Sequence, residues 1–159
     1  MKKYLLVLIT IPFFILCIRL LDRDIYYDEA YSLVNYILVP IKQTVFEYKN
    51  LNNHFFYSLI CNLYLKAFAE MPRLTGDTSI LFWLMNRPYM IRLPQLAFSG
   101  VTIYYLYQIG KLFNKRVALY SIVILMTTIP YHYYVTQVRG YSLSIMLITI
   151  LVYYLWRKK

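Results

Sequence analysis

The chain has 159 residues, of which 60% are hydrophobic and only 15% charged, and this is more apolar side chain than one soluble core of that length can bury. The formal charge of +10 comes from 17 Lys and Arg against 7 Asp and Glu, yet the cations cluster at the ends of apolar segments and form no stripe typical of nucleic-acid binding. Composition therefore predicts an all-α membrane protein with the lipid bilayer, and no nucleic acid, as its partner.

Four apolar segments are long enough to cross a hydrocarbon layer about 30 Å thick. The first opens the chain and lacks a small-residue cleavage site, which favours an uncleaved helix over a signal peptide. We expect the four to form a single membrane module, 1–159, with transmembrane helices over residues 4–21, 93–113, 117–134 and 141–156.

Positive charge orients these spans. Lys2 with Lys3, the cluster 111–116 and the cluster 157–159 all lie on one side of the bilayer if four segments cross it. Because Lys and Arg are retained in the cytoplasm, the sequence predicts a multi-pass protein of the plasma (inner) membrane with both termini cytoplasmic.

The long segment 22–92 is then external and contains juxtamembrane amphipathic helices. One is expected over 54–69, where Ser58, Asn62 and Lys66 recur every fourth residue and so form one polar row. A polar row on an otherwise apolar helix is the pattern of a helix that lies in the membrane interface.

A second external helix is expected from Asp28 to Val39, ending at Pro40, and it carries the acidic pair Asp28 and Glu29. In one interpretation Asp28 is the N-cap and Glu29 complements the helix dipole in the first turn. In the other, the pair is a general base for a hydroxyl group, or Asp28 is an oxygen ligand for a divalent cation.

Basic and polar side chains of two further external segments are candidates for binding an anion. Arg139, between Gln137 and Tyr141, either extends to lipid headgroups or clamps a lipid-linked phosphate with its planar guanidinium. His54 begins the interfacial helix, where free backbone N–H groups can bind an anion, or else it is a cap.

Four strings occur in the order of motifs found in one protein family. They resemble the N-terminal part of the multi-spanning glycosyltransferases that use polyprenyl-phosphate sugars, which include the protein mannosyltransferases and the aminoarabinose transferases. The strings are Asp28-Glu29-Ala30-Tyr31, Asn53-His54-Phe55-Phe56-Tyr57, Arg92-Leu93-Pro94-Gln95 and Gly110-Lys111-Leu112-Phe113-Asn114-Lys115-Arg116. A fifth, from Gln137 to Tyr141, is similar to an external Glu-x-Arg-x-Tyr string, with Gln137 where the family has an acid.

The resemblance implies a GT-C membrane fold in the cell envelope and inverting transfer of a sugar from a polyprenyl-phosphate donor to a hydroxyl acceptor. Asp28 would take the acceptor's proton, with support from Glu29. His54 and Arg139 would neutralise the departing lipid phosphate, and Gln137 and Tyr141 would belong to the same donor-binding loop. A divalent cation stays open as a cofactor.

The family's enzymes are longer, so the resemblance implies that this chain is the front part of such an enzyme. The remaining spans would follow it in the same chain or come from an additional membrane subunit. The alternative is a small non-enzymatic membrane protein that binds polyprenyl phosphate or a partner subunit. A transporter fragment is disfavoured because no central span carries a buried charge.

Overall fold

The computed structural model describes residues 3–47, 54–67 and 80–158, which are helical with short connections and contain no strand. The all-α prediction is confirmed for these ranges. Predictions that involve Lys2, Asn53, residues 68–69 and Lys159 lie outside them. The helices are α1 (Lys3–Leu21), α2 (Tyr27–Ser32) with a π-helical turn (Leu33–Ile37), α3 (Ile41–Phe46), α4 (Phe55–Ala67), α5 (Ile80–Met85), α6 (Pro88–Phe113), α7 (Lys115–Thr127), α8 (Ile129–Thr136) and α9 (Tyr141–Arg157).

The chain divides into two compact units. The long-helix unit comprises residues 1–20, 95–136 and 141–159, and the short-helix unit comprises residues 21–94 and 137–140. All of the sequence-predicted site residues except Tyr141 belong to the short-helix unit.

The long-helix unit has a core of apolar and aromatic side chains. Phe13 stacks on Tyr131 with ring centroids 5.8 Å apart, and the hydroxyl groups of Tyr131 and Ser99 are hydrogen bonded at 2.8 Å. The phenol therefore packs its ring among apolar neighbours while its oxygen is satisfied inside the unit. The other buried members of this core are Cys17, Ile103, Ile122, Met126 and Val135.

A tight turn joins α6 to α7. Asn114 is the N-cap of α7, because its Oδ1 accepts hydrogen bonds from the backbone N–H groups of Arg116 and Val117, both at 2.9 Å. Gly110 lies directly against Ala118, and a Cβ on Gly110 would overlap the Ala118 backbone. The turn thus depends on a cap at one position and on a missing side chain at another.

The segment 117–134, predicted as one span, is part of two helices. α7 ends at Thr127, Thr128 is extended with φ −78° and ψ 113°, and α8 then begins at Ile129. Pro130 supplies the physical reason, since it has no N–H to donate to a carbonyl of the preceding turn. The other predicted spans correspond to α1, α6 and α9, with α6 beginning five residues earlier than expected, at Pro88.

Within the described ranges, no single helix combines the length and the apolar composition needed to cross a bilayer, whereas α8 and α9 together meet both conditions as a pair bent by 111°. The burial pattern is nonetheless unusual. Gln95, Ser99 and Thr102 are buried, while Ile124 and Ile148 are 66% and 61% exposed. Some polar side chains thus point inward beside the apolar core, while large apolar side chains lie on the surface, the inverse of the pattern of a water-soluble helix.

The short-helix unit repeats this inverted pattern in α4. The helix lies where the polar row predicted it, but the row faces the wrong way for an interfacial helix: Ser58 and Asn62 are fully buried, and Phe56 and Leu63 are exposed. The expectation that the row faces water is therefore wrong for Ser58 and Asn62, although Lys66 is exposed.

Hydrogen bonds explain why Asn62 is buried. Its Nδ2 donates to the carbonyl of Val39 and to Oγ1 of Thr44, both at 2.8 Å, and the Thr44 hydroxyl donates to the carbonyl of Tyr36 at 2.9 Å. The carbonyls of Tyr36 and Val39, at the end of the segment formed by α2 and the π-helical turn, are satisfied in this way. That segment ends before Pro40, as predicted.

Candidate functional site

The acidic pair on α2 splits into one buried and one exposed carboxylate. α2 begins at Tyr27 with Tyr26 as its N-cap, so the prediction that Asp28 is the N-cap is wrong. Glu29, in the third helical position, turns back and accepts the N–H of Tyr26 at 3.0 Å. Asp28 points away from it and is 66% exposed.

Arg92 is the buried partner of Glu29. The guanidinium forms a two-point ion pair with the carboxylate, Nη2 to Oε2 at 2.6 Å and Nε to Oε1 at 3.2 Å, and neither side chain is more than 2% exposed. The remaining N–H groups of Arg92 donate to the carbonyls of Leu21, Arg23 and Asp24 at 2.6 to 2.9 Å. All five donors of the guanidinium are therefore used.

This ion pair also holds the loop 137–140. The backbone N–H of Val138 donates to Oε1 of Glu29 at 2.7 Å, although 109 positions separate the two residues. A charge-assisted hydrogen bond to a backbone donor fixes the loop as well as the side chain. Glu29 and Arg92 thereby join four segments of the short-helix unit, and their charges cancel.

Loop 137–140 brings Arg139 to Asp28. Nη2 of Arg139 lies 2.6 Å from Oδ2 of Asp28, and the Arg139 side chain is 17% exposed, against 66% for Asp28. Because Glu29 holds the residue before Arg139, the buried and exposed carboxylates of α2 fix neighbouring positions of one loop. Asp28 and Arg139 thus form an ion pair at the surface, on a loop that Glu29 holds in place.

His54 lies against the same loop. Its imidazole packs against Gly140, where even a Cβ would come within 2.8 Å of the His54 side chain. Burial, and then the nearby charge of Arg139, lower the pKa of His54 below its ordinary value. The imidazole is therefore neutral at neutral pH in the state described.

The structure thus brings Asp28, His54 and Arg139 together. Gln137 is in the same loop, where its carbonyl accepts the N–H of Arg139 at 2.8 Å. Tyr141 begins α9 and belongs to the long-helix unit, in which its ring contacts Tyr134 at 5.0 Å.

Arg92 was not among the candidate residues selected from the sequence. The available signal was a single cation at the start of an apolar segment, within the string Arg92-Leu93-Pro94-Gln95. An arginine in that position must find a partner or extend to water, and here it finds Glu29. The role of Glu29 as an anchor follows from the same pairing.

This arrangement offers a base, a cation and a neutral imidazole on one surface. Asp28 can accept a proton from a hydroxyl group, Arg139 can bind an anion, and His54 can donate or accept a hydrogen bond beside it. Within the described ranges, no group of three His, Cys, Asp or Glu side chains lies close enough to hold a metal ion.

Comparisons with protein-family models, with curated proteins and with solved structures found no match to this chain.

Proposed function

We propose that the chain is the N-terminal membrane module of a glycosyltransferase that moves a sugar from a polyprenyl-phosphate donor to a hydroxyl acceptor. The reaction takes place at the external face of the plasma (inner) membrane, with both chain termini in the cytoplasm. The segments 4–21, 93–113 and 141–156, together with the segment 117–134 that is interrupted at Thr128, carry the chain across the bilayer, and the short-helix unit presents the site.

The observation that carries this proposal is the meeting of Asp28, His54 and Arg139. They come from three separate segments, and a buried ion pair, Glu29 with Arg92, holds two of these segments in place. The buried contacts of Glu29 and Arg92 thus position an exposed acid and a cation. Such an arrangement is typical of a site whose geometry matters.

The inverted burial pattern supports the membrane location. Large apolar side chains of the proposed spans, such as Ile124 and Ile148, are 66% and 61% exposed, while Gln95, Ser99 and Thr102 of α6 are buried. In water this arrangement exposes apolar surface at a cost of about 25 cal/mol per Å². In a bilayer the same outward side chains face a solvent as apolar as they are.

The proposed chemistry assigns a task to each of the three side chains. Asp28 takes the proton of the acceptor hydroxyl, whose oxygen forms the new bond to the anomeric carbon of the sugar. The bond from that carbon to the phosphate oxygen breaks, and its electron pair leaves with the lipid phosphate. Arg139 and His54 stabilise this charge as it develops.

The ion pair in the described state supports one order of events. While Arg139 is paired with Asp28 at 2.6 Å, its guanidinium binds a lipid phosphate more weakly, because the carboxylate already neutralises its charge. An incoming phosphate competes for the guanidinium and so releases Asp28 to accept a proton. Glu29 supports Asp28 only indirectly, because its own carboxylate already accepts four hydrogen bonds.

A test is the transfer of a labelled sugar from a polyprenyl-phosphate sugar in membrane vesicles that contain the full chain, with any in-frame continuation of the gene. Asp28→Asn should reduce the transfer rate at least about 100-fold, in line with loss of a general base. Asp22→Asn, which changes another exposed acid next to α1, is the matched control. Equal rates for the two variants would rule out Asp28 as the base.

The second candidate function is a non-enzymatic module that binds polyprenyl phosphate or a partner subunit. The exposed ion pair of Asp28 and Arg139 also suits it, since a guanidinium binds a phosphate whether or not transfer follows. Binding of polyprenyl phosphate without transfer, in the presence of every gene product encoded next to this chain, would favour this function.

A further inference from the structure

Gly140 ends the loop 137–140 and lies directly against His54. A Cβ built on Gly140 would be 2.8 Å from both Cβ and Cγ of His54 and 3.0 Å from Nδ1. These three atoms are the nearest neighbours of the added carbon, and all belong to one side chain. The φ angle of Gly140 lies outside the left-handed region, so the missing side chain, and not the backbone conformation, is what this position requires.

The clash could not be relieved by rotating the imidazole. The Cβ of His54 moves only with its own backbone, so either the start of α4 or the loop would have to shift. The loop is held by the Val138 N–H on Glu29, at 2.7 Å, and Glu29 is held by Arg92. The backbone at His54, at the start of α4, would therefore have to shift.

The other described glycines provide a comparison. A Cβ on Gly110 would meet the Ala118 backbone, which is a requirement of helix packing. A Cβ on Gly100 would have no heavy atom within 4 Å. Gly140 differs from both, because the three atoms nearest to its missing side chain all belong to a candidate site residue.

We propose that Gly140 is a positioning residue that seats the imidazole of His54 beside Arg139, so that both side chains bind the same phosphate group. The proposal rests on the proposed function for the identity of the ligand, a polyprenyl phosphate. The geometry of Gly140 and His54 does not depend on the proposed function and can be measured on the unliganded protein.

The first measurement is the pKa of His54 by NMR of the imidazole protons. The chain has two histidines, so His132→Gln assigns the two signals. In Gly140→Ala the imidazole moves away from the loop, which relieves its burial and increases its distance from Arg139. The pKa of His54 should then rise toward its ordinary value of 6.5. Gly100→Ala, the matched control, should leave it unchanged.

The second measurement is the binding of polyprenyl phosphate to the full chain in lipid nanodiscs. Gly140→Ala should weaken binding at least about tenfold, the loss expected when one charge-assisted hydrogen bond is removed. Gly100→Ala should bind as the parent chain does. If the parent chain does not bind polyprenyl phosphate while the His54 pKa responds as predicted, the ligand is wrong and the positioning role stands.

A further variant covers the case in which Gly140→Ala folds poorly. His54→Gly removes the three atoms nearest to the new Cβ, so adding Gly140→Ala to it should cause no further loss of stability or of binding. An unchanged His54 pKa in Gly140→Ala would overturn the proposal. The proposal would also be overturned if Gly140→Ala reduced binding as much in the His54→Gly chain as it does in the parent chain.

Discussion

Removal of the Arg92 side chain should destabilise the protein more than any change to the exposed ion pair. Arg92→Ala leaves the Glu29 carboxylate 2% exposed with no counter-charge, and such a loss typically costs about 3 to 5 kcal/mol. Asp28→Asn disrupts a pair whose acid is 66% exposed, and pairs of that kind contribute about 0 to 1 kcal/mol.

The backbone contacts of the buried pair add a second, more specific expectation. Many buried ion pairs can be replaced by apolar side chains at little cost. Here the double variant Glu29→Leu with Arg92→Met would leave the N–H groups of Tyr26 and Val138 and three carbonyls of residues 21–24 without their present partners. Each unsatisfied group costs about 1 to 3 kcal/mol, so the apolar pair should not restore stability.

The assay is thermal unfolding in detergent micelles, monitored by helical circular dichroism, with Asp28→Asn as the control. For a chain of this length the midpoint of Arg92→Ala should fall by roughly 10 °C, and that of Asp28→Asn by no more than about 2 °C. A midpoint for Arg92→Ala equal to that of the control would refute the role of the buried pair. Recovery in the apolar double variant would refute the backbone contribution.

Two further predictions concern α4. Asn62→Ala should lower the free energy of unfolding by about 1 to 3 kcal/mol, because the Thr44 hydroxyl and the Val39 carbonyl lose their donor. Lys66→Ala should change it by less than about 0.5 kcal/mol in the same denaturant titration. Cys61 should resist iodoacetamide at neutral pH until the protein unfolds, since burial raises the pKa of its thiol to about 12 and only the thiolate reacts. Mass spectrometry of the alkylated peptide measures this labelling. Rapid labelling of Cys61 in the folded protein would contradict the prediction.

The positions of the long helices could be predicted from the sequence because they depend on local features. Apolar length locates α1, α6 and α9, and the stop before Pro40 follows from the missing N–H of proline. The break at Thr128 follows from the same chemistry at Pro130, but the length of the apolar segment outweighed it in the prediction.

The direction in which α4 faces could not be read from its periodicity. A repeat of four shows that Ser58, Asn62 and Lys66 share a face, and it does not show whether that face meets water or a neighbouring helix. The partners of Asn62 are Val39 and Thr44, which lie 23 and 18 positions away. Only the folded chain identifies them.

The candidate site shows the same limit. Asp28, His54 and Arg139 could be selected from residue type and from their expected location on one side of the membrane. The anchor that holds Asp28 and Arg139 could not, because Glu29 pairs with Arg92 at a separation of 63 positions and with the Val138 N–H at 109. A sequence pattern reports neighbours along the chain, whereas this anchor is formed by residues that are distant in it.

The central claim is that Arg139 binds the phosphate of a polyprenyl phosphate. The most direct measurement compares polyprenyl phosphate binding by the full chain and by Arg139→Gln in nanodiscs, with uncharged polyprenol and an anionic phospholipid as competing ligands. Lys66→Gln removes the same charge from an exposed position on α4 and is the matched control. The account predicts binding that polyprenol and the phospholipid do not displace, weakened about 10- to 100-fold by Arg139→Gln and not by Lys66→Gln. Equal binding by the two variants, or equal binding of polyprenol, would contradict it.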